Sequence, residues 1–152
     1  MTEIERIRDQ IQKAFEGGAW HGPAVRETLE GVQASRASRR PIGAAHTIWE
    51  IVLHMATWQS VVARRLGGDP VAEVPPEVDW PAVGATDEES WRAAVALLRT
   101  THAELLEATR GVGEDSLDQP AVAGTSTRYV LLHGAIQHDV YHAGQIALLR
   151  RA

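Results

Sequence analysis

Apolar residues recur at helical spacing through three separate stretches of this chain, a fourth apolar stretch follows near its end, and that pattern restricts its fold more than any other feature. The first stripe is Ile4, Ile7, Ile11 and Phe15, between Thr2 and Phe15, and it ends at Gly17-Gly18. The second carries Ile48, Ile51, Val52, Met55, Val62 and Leu66 and ends at Gly67-Gly68. The third carries Trp91, Ala94, Val95, Leu98, Leu105 and Leu106 and closes at Gly111. The fourth, from Ser126 or Thr127 to about Arg150, carries Val130, Leu131, Ile136, Ile146, Leu148 and Leu149. In the first three stretches this spacing lays one apolar face along a helix of 3.6 residues per turn. No run alternates with the two-residue period of a half-buried strand for long enough to compete.

Start and stop signals sharpen the reading. Thr47-Ile-Trp-Glu50 has the form of a capping box, in which the hydroxyl accepts a backbone N–H while the glutamate reaches back. Thr86-Asp-Glu-Glu89 repeats it. Arg150 and Arg151 complement the negative pole of the last helix. Pro23, with Val25, Leu29 and Val32, predicts a short extra helix, and residues 33–43 read as a connector. The stretch Gly67 to Ala85 holds Pro70, Pro75, Pro76 and Pro81, so it cannot be helical throughout. A connector of that length usually makes a crossover, a lid or a binding loop. The expectation is an all-α, single-domain chain over residues 1–152, a four-helix bundle with long connectors rather than a simple up-down-up-down array.

Composition narrows the function. The formal charge is −5, with 20 acidic against 15 basic residues and no Lys/Arg stripe, so nucleic acid is not an expected partner. No apolar run approaches the 18 or more residues of a membrane span, and Met-Thr-Glu-Ile-Glu-Arg is not the start of a signal peptide. The absence of cysteine removes disulfides, thiolate metal sites and a cysteine nucleophile together, and fits a cytoplasmic protein.

Of the seven histidines, three stand out. His138 and His142 are four apart, so both rings leave one helix face and can take adjacent corners of one metal. Their stripe includes Leu131, Ala135, Gln145 and Leu149, so it turns inward, where imidazoles with nothing to bind would be costly. His54 lies on an apolar flank of the second long helix, about two turns (on the order of 11–12 Å) from its start at Thr47. His142 lies a similar distance before the end of the last helix, so antiparallel packing would bring all three to one level. Glu50 and Asp139 are candidate acceptors for a ligand ring, and Tyr141 and Gln145 border the site. His21, His46, His102 and His133 read as structural or solvated, with His133 about 140° around the helix from His138. Trp80 is the tryptophan placed to cover something; the others read as core or interface mass. A zinc-protease reading of His138-Asp-Val-Tyr-His142 fails for want of a downstream third ligand and because aspartate replaces the longer glutamate base.

The segments Trp49-Glu-Ile-Val-Leu-His54-Met-Ala-Thr-Trp58 and His133-Gly-Ala-Ile-Gln-His138-Asp-Val-Tyr-His142-Ala-Gly-Gln-Ile146 resemble the two signatures of the DinB/YfiT-like superfamily, as do Leu66-Gly67-Gly68 and Asp79-Trp80-Pro81. The resemblance implies an up-down-down-up four-helix bundle and a metal triad at His54, His138 and His142. It also implies a metal-dependent transferase that joins a low-molecular-weight thiol, mycothiol or bacillithiol, to a small electrophile, and a homodimer. A metal-dependent hydrolase and a non-catalytic, stress-related metal-binding bundle are the alternatives. Three imidazoles leave open coordination positions and suit zinc, nickel, copper and iron without choosing among them; zinc or nickel is the expected divalent transition metal. The thiol would have to arrive as a cosubstrate, since the chain has none.

Overall fold

The computed structural model describes residues 1–71 and 73–152; Ala72, within the long connector, lies outside the described residues. Four long helices carry the structure: α1 (Glu3–Glu16), α4 (Ile48–Leu66), α6 (Glu88–Ala108) and α7 (Arg128–Leu149). Between them run three short ones, α2 (Val25–Leu29), α3 (Ala34–Ala37) and α5 (Pro76–Asp79), and two single 3₁₀ turns at residues 109–111 and 114–116. Among the described residues the only β pairing is an isolated bridge between Pro120 and Thr127.

Helix starts are set by side-chain caps. Thr2 and Thr47 both make full capping boxes, with Glu5 and Glu50 respectively. The third helix departs from expectation: its N-cap is Asp87, not Thr86, and the Asp87 carboxylate accepts from the Ser90 N–H at 2.8 Å. A short carboxylate reaches the third amide as well as a hydroxyl does, so the cap moves on by one residue, and with Ser90 rather than a glutamate at the third position it is a single cap and not a box. Two other expectations are corrected. Residues 33–43 are not all connector, since α3 forms within them, and α2 stops at Leu29 before reaching Val32. Arg150, expected to serve the end of its own helix, donates instead to the carbonyls of Glu27, Thr28 and Glu30 at the end of α2.

The core residues fix the topology. One cluster joins Phe15 at the end of α1 to Ile48–Ala56 in the first half of α4, Trp91–Leu98 in the first half of α6, and Ala143–Leu149 in the last turns of α7. The other joins Ile7 and Ile11 of α1 to Val62, Leu105 and Leu132 from the late α4, late α6 and early α7. Helices α4 and α6 therefore run parallel to each other and antiparallel to α1 and α7, which gives the order up-down-down-up. Parallel neighbours need a crossover, so the connector after Leu66 must climb back along the bundle before α6 begins. That return carries α5 past the middle of α4, where His54 sits.

Candidate metal centre

His54 is buried on α4, and His142 buried and His138 half-buried on α7. Antiparallel packing brings them to one level, with one ligand nitrogen from each within 4.8 Å of the others. His138 Nε2 lies 2.9 Å from His54 Nε2 and 3.1 Å from His142 Nε2. These three residues are close enough to bind one metal ion, as the spacing predicts.

The outer nitrogens decide what the inner ones offer. His54 donates from Nδ1 to the backbone carbonyl of Asp79 at 2.8 Å, with the Asp79 carboxylate 3.0 Å away. A carbonyl only accepts, so the His54 proton resides on Nδ1 and Nε2 carries a lone pair. His142 donates from Nδ1 to the Gln145 side-chain oxygen at 2.6 Å, which leaves a second lone pair at Nε2. His138 Nε2 faces both, and a single proton there could satisfy only one of them. Extra protonation of His138 or His142 does not resolve the conflict, because burial lowers His138 to about 3 and His142 to about 4. A cation accepting all three lone pairs does resolve it, and the donor set fits a transition metal.

The connector completes the site. Trp80 lies between two imidazoles, stacked on His54 with centroids 3.9 Å apart and on His46 at 3.5 Å. The Trp58 indole donates to the Asp79 carboxylate at 2.6 Å, which ties α5 to α4. Trp80 thus covers the cluster, as its place in the connector suggested. His46 is exposed just before the start of α4, as expected, and its ring also forms the outer layer of this stack. The acceptors for the ligand rings are Asp79 and Gln145, not Glu50 or Asp139. Glu50 is occupied by Thr47, Arg40 and His46. Asp139 points into the bundle, where Gln59 donates to it at 3.2 Å and Thr101 in turn donates to Gln59 at 3.0 Å. Burial raises the Asp139 carboxyl to about 7, against the lowering effect of the Gln59 bond. Gln145 was readable as a border residue from its i+3 spacing; Asp79 depends on the crossover and has no spacing signal. Tyr141 is 64% exposed and touches the site only through its ring, 5.2 Å from His142. His133 lies apart, against Tyr129, and His102 is buried elsewhere against Phe15.

The fold and the cluster together define an all-helical bundle whose facing helices present three histidines to one point. The family model of the DinB superfamily matches residues 19–146, and the chain belongs to that superfamily. No curated protein and no solved structure gives a significant match.

Proposed function

We propose that this chain is a cytoplasmic, divalent-metal-dependent transferase that joins a low-molecular-weight thiol to a small electrophile. The observation that carries the reading is the convergence of three imidazole Nε2 atoms beside an open cavity of about 490 Å³. His54, His138 and His142 would hold the ion, zinc or nickel, with Asp79 and Gln145 fixing the rings. Such an ion would supply Lewis acidity that keeps a coordinated thiol deprotonated at neutral pH.

The chain's own residues supply the rest. With no cysteine, it offers no internal thiol to compete with the cosubstrate. Trp80 excludes water from one side of His54, and the cavity on the other side gives the electrophile a place against the cluster. No helix among the described residues is long and apolar enough to cross a membrane. The test is product formation by metal-loaded protein with bacillithiol, mycothiol or a simpler thiol against a panel of electrophiles, beside the His138→Ala variant. Turnover that needs both thiol and His138 is expected. Turnover indifferent to thiol would make the protein a hydrolase, and no turnover with any pair would make it a binding protein.

A further inference from the structure

We propose that the cavity between α4 and α7 takes a neutral, mainly apolar small molecule, and that Gly134 sets the room available to it; the assignment rests on reading the histidine cluster as the reactive centre. The volume, about 490 Å³, falls within the range of sites that enclose small organic ligands. Its walls are Trp58 and Val62 from α4 and Val130, Leu131, Gly134 and Ala135 from α7. His54 and His138 also line it, so a bound molecule lies directly against the cluster.

Charge narrows the occupant. Among the described residues no lysine or arginine lines the cavity, and its acidic members are Asp79 and Asp139, the latter turned to Gln59. An anionic substrate would meet the Asp79 carboxylate and no cation apart from the one the histidines would hold. A cation would have to leave water for a wall of indole and aliphatic carbon. An uncharged body faces neither obstacle.

Gly134 is the informative wall residue. It sits inside a 22-residue helix, past the first turn, where glycine weakens the element. It is not among the glycines with positive φ, and a Cβ built there meets nothing within 4 Å. Neither backbone conformation nor close packing accounts for the missing side chain. Gly144 on the same helix is equally open but does not line the cavity; Gly134 does, so the room it leaves borders the cavity.

The experiment titrates the neutral fluorophore N-phenylnaphthylamine into wild type and Gly134→Leu, with metal content and melting temperature measured on the same samples. Saturable binding to wild type is expected, weakened at least about tenfold in the variant, as for other changes of a few methylenes in an apolar pocket. Metal content and melting temperature should not fall. Should Gly134→Leu not fold, Val130→Glu places a charge on the same wall at a residue 55% exposed, and should weaken the probe severalfold. The anion anilinonaphthalene sulfonate should bind more weakly than the neutral probe. No saturable binding to wild type, equal binding to the variants, or preference for the anion would overturn the proposal. Gly134-dependent binding to a protein that takes up no metal would refute the metal reading and leave the pocket standing, while metal uptake without probe binding would do the reverse.

Discussion

His102 separates two reasons for burying an imidazole, and replacing it gives a quantitative test. The residue is 2% exposed on α6, its ring is stacked on Phe15 with centroids 3.8 Å apart, and neither ring nitrogen has a hydrogen-bond partner. Burial therefore lowers it from 6.5 to about 4. Between those values the unfolded chain binds a proton that the native chain refuses, so this residue makes the fold less stable as pH falls. The interval of about 2.5 units corresponds to roughly 3 kcal/mol, lost progressively from pH 6.5 down to 4. His102→Leu keeps similar bulk, removes two unsatisfied nitrogens and forfeits the aromatic stack. The net gain at pH 7.5 should fall between about 0.5 and 5.5 kcal/mol, since the two unpaired nitrogens cost about 1–3 each and the stack returns about 0.5–1.5. The assay is urea unfolding of both proteins without metal at pH 7.5, 6, 5 and 4. In the difference between them the other histidines cancel, so the advantage of the leucine variant should grow by about 3 kcal/mol across the series. A difference that stays flat with pH would refute the account of a neutral, unpaired ring.

Other consequences follow for the site and the assembly. Gln145→Leu removes the acceptor for His142 Nδ1 and should weaken metal binding about 10- to 100-fold in a chelator competition, whereas Gln145→Glu should retain it. Metal at a hundred times its dissociation constant should add about 2.7 kcal/mol, roughly 5–10 °C in melting temperature, reversed by a chelator. Because burial keeps His138 and His142 neutral to about 3 and 4, acid should release the ion only well below pH 6. We expect a homodimer: Val130, Tyr141 and Leu148 are exposed along one side of α7, and Trp20, expected in a core or interface, is fully exposed. Sedimentation that finds only a 16.6 kDa species at micromolar concentration would exclude it.

Much of this architecture was legible because it is local. The stripes through Ile7 and Ile11, or Ile51 and Met55, need only helical periodicity, and they became the two core clusters. The level shared by His54, His138 and His142 follows from the rise per residue once antiparallel packing is assumed. What escaped the sequence depends on how distant segments meet. Asp79 became the partner of His54 because the crossover from α4 to α6 passes that point. Asp139, beside a ligand position, turned inward to Gln59, a pairing between helices that no spacing on α7 reveals. His102 warns against burial as a criterion for a ligand: it is as buried as the cluster residues and holds nothing. Convergence of the three Nε2 atoms, not burial, distinguishes the site.

The central claim is that these three rings share one ion. Elemental analysis of protein equilibrated with zinc or nickel and then freed of excess metal tests it directly, with His54→Ala, His138→Ala and His142→Ala measured alongside. One equivalent per chain in wild type and a small fraction of that in each variant is the expected result. Undiminished metal content in His54→Ala, the ligand contributed by the opposite helix, would contradict it.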